Sequence, residues 1–447
     1  MKWKQVFHYG TTSAGLLILS CTIIKLIAEL VQYAQGSPAS FTDVPRAEPN
    51  QVFFDLRILS HNGSGCDISI AEISPERHCA TDLYPFNYPT FGLWIVRLIG
   101  IGADSTRDFG VALGATTIAL VTVFFLQRFK EALPNKVAGF FVFICLILGL
   151  NSFAFRYALE RGQVDLLILD LVLLPLVFPV PRRELIGEIT KGHIGIYLGL
   201  IVSSLIKIFT FPALVGISVL ETLALNKRRI ATILLLWTAT ILCGISLVHP
   251  VEISRAINIS GLGGHGFGLS VLLNAGYLTD ATSGLSLKFL FLGIGFALFS
   301  STILVKLRSL IFQHRRQPIK FLKAMGISFG ELRCSELYII ISTMIAVPLY
   351  IATENINYKW IFLLPTIGSL VVLASKTSVA SNKVKLCYLI VTLALSQAFL
   401  SYPYSPTTYV YLEWLAHFAM HPFVIGGLCS LSLNLIVNNR EYVERHH

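Results

Sequence analysis

Long apolar runs recur from one end of this chain to the other, and they constrain its fold more than any other feature. Most of them have about 17 residues or more, which is enough for a helix to cross roughly 30 Å of hydrocarbon. Charged residues make up only 13% of the 447 residues, whereas a soluble chain carries about 25%. The alternating segments of about ten residues that a transmembrane barrel requires are absent from the sequence. The sequence therefore predicts an all-α polytopic membrane protein.

The apolar runs define twelve candidate spans, so we expect both termini on one side of the membrane. The two runs on either side of Lys207 could instead form a re-entrant segment. The predicted spans cover residues 11–33, 108–127, 137–151, 164–180, 193–209, 211–225, 230–248, 287–307, 336–352, 358–375, 384–400 and 416–437.

The distribution of Lys and Arg predicts the orientation of these spans. If both termini are cytoplasmic, the inside turns hold most of the 35 Lys and Arg residues, as the positive-inside rule requires. The net charge of +10 then mainly records membrane orientation. A nucleic-acid partner is a poor interpretation, because the cations lie in short turns without interleaved aromatic residues.

The chain is predicted to be one membrane domain over residues 1–447. Its first apolar run is too long for the core of a signal peptide and lacks a cleavage site, so we expect a retained span. Residues 34–106 form the largest extracytoplasmic loop, which ends in an amphipathic helix on the membrane surface. Residues 306–335 form a basic cytoplasmic loop that faces anionic headgroups.

Two of the eight cysteines, Cys66 and Cys79, lie in the first extracytoplasmic loop. An oxidising compartment favours a disulfide between them. The alternative is a pair of unpaired loop thiols. The other six cysteines lie in or beside spans, where they act as small apolar residues.

Polar residues stand at the outer ends of two consecutive apolar runs that a basic turn joins on the other side. Charged groups at a membrane boundary are costly to desolvate, so they indicate a site for a charged ligand. Arginine offers a rigid fork to phosphate oxygens, and Lys207 can act as a point charge on the same phosphate. The alternative is a snorkelling lysine beside a salt-bridge network. The link before the fourth span holds Arg156, Glu160, Arg161, Gln163 and Asp165.

An acidic residue stands early in the first loop, within Phe53-Phe54-Asp55-Leu56-Arg57. A carboxylate near an apolar surface, with an arginine two residues on, is a candidate general base. Arg57 would then belong to the substrate-binding residues. A solvated loop acid or a helix cap is the alternative interpretation of Asp55.

Further polar candidates lie in two other extracytoplasmic segments. Asp82 and the corner Tyr84-Pro-Phe-Asn87-Tyr88-Pro89 combine rigid proline backbone with groups that suit a sugar or a lipid headgroup, although an interfacial tyrosine belt is the alternative. Asn357 and Lys359 stand in a short turn later in the chain. No metal cluster has convincing ligand spacing, and no resident cofactor is predicted, although a divalent metal is not excluded.

These features resemble the polytopic membrane glycosyltransferases of the GT-C type, and more narrowly the bacterial mannosyltransferase-like glycosyltransferase family 87. The resemblance rests on Arg161-Gly-Gln-Val-Asp165-Leu-Leu opening a span, and on a glycine-bearing span that ends in Lys207 with Pro212 following. A basic turn, Asn226-Lys-Arg-Arg229, comes next. Asp55 matches the usual position of the GT-C catalytic carboxylate, and Tyr88-Pro89 is similar to a Tyr-Pro element of the family.

The resemblance implies that a sugar moves from a polyprenyl-phosphate donor to a lipid or glycan hydroxyl on the extracytoplasmic face of a bacterial inner membrane. Asp55 would be the base, while Arg161, Lys207 and Arg156 would contact the donor phosphate. Gln163, Asn87 and Tyr88 would orient the sugar or headgroup. The sugar would be a mannose-like hexose or a pentose, and the partners would be membrane lipids, the donor and the acceptor.

Two other classes of function are open on the sequence. A transporter or flippase of a lipid-linked anion would place polar residues at mid-membrane, whereas here they concentrate at the outer boundary. A glycan polymerase or ligase usually places its large outer loop late in the chain, whereas here the largest loop follows the first span.

Overall fold

The computed structural model is built from helices, and the strands among its described residues form one antiparallel pair, Gly266–Phe267 with Asn355–Ile356. The all-α fold class predicted from the sequence is confirmed. The structure describes residues 2–35, 53, 56, 98, 100, 105–132, 136–178, 191–224, 230–247, 266–267, 281–316, 332–352, 355–398 and 415–446.

Each predicted span contains a helix whose bounds differ from the prediction by a few residues or by added turns at the ends. Two 3-10 segments, Ile208–Thr210 and Asn357–Leu363, and a π-helical turn, Ala416–Met420, interrupt the α-helices. The α-helices are α1 (Lys2–Ala34), α2 (Thr106–Ala132), α3 (Lys136–Leu150), α4 (Phe153–Arg161), α5 (Val164–Val177), α6 (Lys191–Ile206), α7 (Phe211–Ala224), α8 (Ile230–Leu247), α9 (Ala281–His314), α10 (Cys334–Ala352), α11 (Leu364–Lys376), α12 (Ala380–Ala398) and α13 (His421–His446).

Three helices in the described part of the chain are long and apolar enough to cross a membrane: Ala14–Ala34, Thr106–Ala132 and Phe289–Gln313. The bent pair Gly139–Leu150 and Phe153–Arg161, with 44° between its halves, is a further candidate span. The other apolar helices are shorter. Twelve crossings therefore stay a prediction.

Helices α5 and α6 form a close antiparallel hairpin. A side chain on Gly195 would approach Pro175 within 3.0 Å, and one on Gly199 would collide with the backbone carbonyl of Leu171. Small residues at this spacing let two membrane helices approach through their backbones. The glycines therefore fix the register in which the start of α5 faces the end of α6.

Helix α7 returns alongside α6 after a turn at Lys207. Tyr197 of α6 donates a hydrogen bond of 2.9 Å to Oε1 of Glu221 on α7, far from the turn in both helices. At the turn, Thr210 Oγ1 donates to the carbonyl of Lys207 at 3.1 Å. The chain therefore presents Lys207 at the tip of a helical hairpin.

Charged residues tie several helices together at the end of the protein opposite Lys207. Gln127 of α2 donates a 2.6 Å hydrogen bond to the carbonyl of Val177, the last residue of α5. The guanidinium of the next residue, Arg128, lies 2.8 Å from Glu131, whose carboxylate also accepts from Lys376 at 3.4 Å. This is the end for which the charge distribution predicts a cytoplasmic position.

Candidate functional site

The segment before α5 contains a helix that the sequence interpretation missed. Helix α4 begins after Ser152, whose side chain accepts from Phe155 N at 3.3 Å, and it ends at Gly162 in the left-handed conformation, with φ of 59°. Ser at the N-cap and Gly at the C-cap are the usual signals for such a helix. A link between spans is predicted here from the sequence, with no helix assigned to it. Arg156, Glu160 and Arg161 lie on α4, and Asp165 lies in the first turn of α5.

The structure brings Asp165 and Lys207 into contact across the α5–α6 hairpin. Lys207 Nζ lies 2.9 Å from Asp165 Oδ1, and the exposed fractions of the two side chains are 10% and 0%. The backbone of Lys207 is extended, with φ of −146° and ψ of 129°, so α6 ends there. The ion pair therefore joins the start of one helix to the end of the next, away from water.

Two acceptor atoms at the start of α5 have no hydrogen-bond partner among the described residues. Gln163 is 2% exposed and Asp165 is 0% exposed. Across the described part of the chain, neither Gln163 Oε1 nor Asp165 Oδ2 accepts a hydrogen bond. Buried polar atoms are nearly always satisfied in folded proteins, so an orphan group calls for an explanation.

Two residues of the first loop pack directly onto the Gly162 turn. A side chain on Gly162 would lie 3.0 Å from Cβ of Phe53 and 3.2 Å from Cβ of Leu56, and both of these residues are fully buried. Phe53 also packs edge-on against Tyr33 at 5.4 Å and adopts a φ of 50°, which is strained for a residue with a side chain. Phe53 and Leu56, which flank Asp55 in the sequence, are thus anchored beside the start of α5.

The two arginines of α4 differ in their surroundings. The Arg156 guanidinium lies 3.3 Å from Glu29 of α1, which also lies 3.5 Å from Lys25. The Arg161 guanidinium lies over the Tyr157 ring at 5.9 Å and is partly exposed. Glu160 is buried, at 6% exposure. Arg156 therefore forms an ion pair with α1, whereas Arg161 lies at the C-terminal end of α4, next to Gly162.

The 3-10 segment Asn357–Leu363 packs against α4 and lies close to the Lys207 turn. The rings of Phe209 and Phe362 are 5.5 Å apart, and Tyr338 donates a 2.8 Å hydrogen bond to the carbonyl of Phe362. The predicted residues Asn357 and Lys359 belong to this segment by their backbone, and their side chains lie outside what is described. Three segments distant in sequence therefore meet around α4.

The remaining predicted residues lie outside the described residues. Their proposed roles, and the proposed disulfide, stay predictions. They are Asp55, Arg57, Asp82, Asn87, Tyr88, Cys66 and Cys79.

Sequence interpretation also missed a buried carboxylate in the middle of α5. Asp170 is 7% exposed, and its Oδ2 accepts a 2.9 Å hydrogen bond from Thr117 of α2. Asp170 Oδ1 has no hydrogen-bond partner among the described residues. The signal was present, because a lone acid inside an apolar run is rare enough to indicate a specific partner.

Replacing Thr117 by valine is expected to destabilise the protein by about 1–3 kcal/mol, because the change leaves a buried carboxylate without its donor. The measurement is the free energy of unfolding in detergent. Thr22→Val is the matched control, since within the described residues the Thr22 hydroxyl donates to the Ile18 carbonyl of its own helix at 2.9 Å and to no other group. If the free energy of unfolding falls equally in the two variants, the Thr117–Asp170 contact contributes nothing to stability.

Within the described residues, no group of three or more His, Cys, Asp or Glu side chains could hold a metal ion. Among the described residues, the candidate site consists of the buried Asp165–Lys207 ion pair, the buried Gln163 amide and the partly exposed Arg161. Such groups can bind phosphate oxygens and sugar hydroxyls and can neutralise a leaving phosphate.

The chain matches no family model and no curated protein. Among solved structures it is similar to ArnT from Cupriavidus metallidurans in the apo state, with 14% identity and a TM-score of 0.39, over 98% of this chain and 78% of that chain. An identity and a TM-score this low carry no conclusion about the site or the activity of this chain.

Proposed function

We propose that this protein is a polytopic membrane glycosyltransferase of the GT-C type. It would transfer a sugar from a polyprenyl-phosphate donor to a hydroxyl of a lipid or glycan acceptor. The observation that supports this most is the meeting of the Asp165–Lys207 pair, Gln163 and the anchored first-loop segment at one end of an apolar helical protein.

The costs of burial support a binding function for this end of the protein. Charged side chains within or beside membrane helices are costly to desolvate, and they are retained mainly where they bind or transfer something. Here Asp165 and Lys207 are buried together, and two acceptor atoms beside them have no partner in the described structure. A purely structural pair would be expected to satisfy all of its polar atoms.

Asp55 is the proposed general base. It removes the proton of the acceptor hydroxyl while the acceptor oxygen bonds to the anomeric carbon, and the bond between that carbon and the phosphate oxygen breaks. The electron pair leaves with the polyprenyl phosphate. Phe53 and Leu56 flank Asp55 in the sequence and pack on the Gly162 turn, which supports a place for the base beside the donor.

Arg161 is the leading candidate for binding the donor phosphate, because a guanidinium offers two parallel donors to phosphate oxygens. Lys207 and Arg156 are proposed as further contacts to the same phosphate, and they lie beside the carboxylates of Asp165 and Glu29. The remaining candidates would orient the sugar, the headgroup or the acceptor. They are Arg57, Asp82, Asn87, Tyr88, Glu160, Gln163, Asp165, Asn357 and Lys359.

The finer assignments rest on the residue pattern. The run from Arg161 to Asp165 and the span ending in Lys207 favour the family 87 branch and a mannose-like hexose or a pentose. The resemblance implies a bacterial inner-membrane location, and the charge distribution favours cytoplasmic termini and an extracytoplasmic site. No resident cofactor is proposed, because the lipid-linked sugar is a substrate.

The test is transfer of a labelled sugar from a polyprenyl-phosphate donor by the purified full-length protein. Asp55→Asn is expected to lower the rate at least about 100-fold, the usual scale for loss of a general base. The matched control is Asp108→Asn, which alters an exposed acid in the first turn of α2, and it should retain the wild-type rate.

Two outcomes would contradict the proposal in different ways. Full turnover by Asp55→Asn would remove Asp55 from the role of base and leave the enzyme class standing. A wild-type protein that consumes no polyprenyl-linked sugar, from a panel of hexose and pentose donors, would contradict the enzyme class itself. In that case, movement of the intact lipid-linked substrate across a vesicle membrane would identify a transporter.

A further inference from the structure

The acceptor atoms at the start of α5 define the kind of group that can bind there. Gln163 Oε1 and Asp165 Oδ2 are both buried, and neither accepts a hydrogen bond from the described part of the protein. Each of them therefore needs a donor, because a buried acceptor left unpaired costs its full desolvation free energy. A phosphate oxygen cannot supply that donor, since it is itself an acceptor.

The Asp165–Lys207 ion pair further limits which donor groups can bind at Asp165. Lys207 Nζ lies 2.9 Å from Asp165 Oδ1 in a buried position. The pair carries no net charge, so the carboxylate attracts a second cation far less than an isolated carboxylate would. A ligand ammonium group brought to Asp165 Oδ2 would also be repelled by the lysine ammonium. A neutral donor such as a hydroxyl group suffers no such penalty.

We propose that Gln163 and Asp165 bind hydroxyl groups of a neutral sugar, and that Lys207 sets this preference by neutralising Asp165. The inference rests on the proposed function, because it places the sugar of the lipid-linked donor at the start of α5. It goes further by predicting the class of sugar. Sugars that carry hydroxyl groups at the contacted positions are accepted, and sugars that carry an amine there are rejected.

The location of these atoms fits a sugar that lies between donor and acceptor sites. Gln163 follows Gly162, on which Phe53 and Leu56 of the first loop pack. Arg161 precedes the same glycine and ends α4. A sugar bound to Gln163 and Asp165 would therefore lie near both the proposed phosphate contact and the first-loop residues Phe53 and Leu56.

The first test compares the affinities of three kinds of ligand for the full-length protein in lipid nanodiscs. The ligands are a short-chain polyprenyl phosphate, its mannosyl form, and mannosyl forms in which an amine replaces each ring hydroxyl in turn. The wild-type protein is expected to bind the mannosyl form about tenfold more tightly than the sugar-free lipid, because two additional hydrogen bonds contribute roughly that much to the affinity. At least one amino form should bind about tenfold more weakly than the mannosyl form.

Gln163→Met removes one acceptor while keeping a side chain of similar length. It is expected to lower the affinity for the mannosyl form about tenfold and to leave the affinity for the sugar-free lipid unchanged. An unchanged ratio between the two affinities would overturn the assignment of Gln163.

Lys207→Met tests the electrostatic part of the inference. Without the lysine, Asp165 keeps an uncompensated negative charge. The affinity for the amino forms should therefore rise about tenfold relative to the affinity for the mannosyl form. The double variant Asp165→Asn/Lys207→Met carries no charge at this position, and the gain should disappear. If Lys207→Met is folded and shows no gain, the neutralising role of Lys207 is wrong.

A further arm separates failure of this inference from failure of the proposed function. Binding of methyl α-mannoside and of its amino analogues is measured by saturation-transfer NMR on the wild type and on Gln163→Met. Selective mannoside binding that depends on Gln163, by a protein that binds no polyprenyl lipid, would support the sugar subsite and contradict the lipid-linked donor. Mannoside binding equal in both proteins would overturn the subsite even if sugar transfer occurs.

Discussion

Replacing Lys207 by methionine is expected to destabilise the protein by about 3–5 kcal/mol, because it leaves Asp165 buried without its counter-ion. The methionine fills the space of the lysine stem, so the loss reports the charge rather than a cavity. The measurement is the free energy of unfolding in detergent.

The double variant Asp165→Asn/Lys207→Met is the matched control for this experiment. Removing both charges leaves no buried ion, so most of the lost stability should return. Asp165→Asn alone should be strongly destabilising, since it leaves the ammonium group buried. Additive losses in the three variants would show that the two side chains do not interact, in contradiction of the 2.9 Å ion pair.

Replacing Gly199 by valine is expected to separate α5 from α6 and to lower the proposed transfer rate about 100-fold, the scale expected for a misplacement of about 1 Å. The new side chain would collide with the carbonyl of Leu171, which is backbone and cannot rotate away. The helices would have to move apart, and Asp165 and Lys207 would lose their register. The measurements are the rate of sugar transfer and the free energy of unfolding, which should fall by about 1–3 kcal/mol.

Gly293→Val in α9 is the matched control, because a side chain there meets no other group within 4 Å. It is expected to keep both the stability and the transfer rate close to wild type. A Gly199→Val protein that keeps its full transfer rate would show that close contact between α5 and α6 does not position the site.

The sequence was sufficient to locate the helices of the predicted spans. The runs at 164–180 and 193–209 became Val164–Val177 and Lys191–Ile206. Runs this apolar form helices wherever water is excluded, because each backbone polar group must be satisfied within its own segment. The sequence also placed Asp165 and Lys207 at one end, since two consecutive spans joined by a turn return to the same side.

Helix α4 could have been predicted, although it was not. Ser152 and Gly162 bracket it with N-cap and C-cap signals, and both signals are visible in the sequence. The helix has only nine residues and contains two arginines and a glutamate, so it shows no long apolar pattern. The lack of an apolar pattern is the reason that the sequence analysis assigned no helix to this segment.

Other features could not be derived from the sequence. The Thr117–Asp170 hydrogen bond joins residues 53 positions apart, and the Asp165–Lys207 pair joins residues of different helices. Packing between helices depends on their rotation and register, which single-residue preferences do not specify. The packing of Phe53 and Leu56 on Gly162 also joins segments far apart in the chain, so it could not be derived from the sequence either.

The sequence by itself predicted a membrane environment for this protein, the positions of the helices in its long apolar runs, and the end at which its polar residues collect. Those properties follow from the transfer free energies of side chains and from the length of each run. Only the tertiary structure decided that Asp165 pairs with Lys207, that Arg156 pairs with Glu29, and that the Arg161 guanidinium lies over the Tyr157 ring. These outcomes depend on distances of a few ångströms between segments far apart in the chain, and electrostatic and hydrogen-bond energies change steeply over such distances.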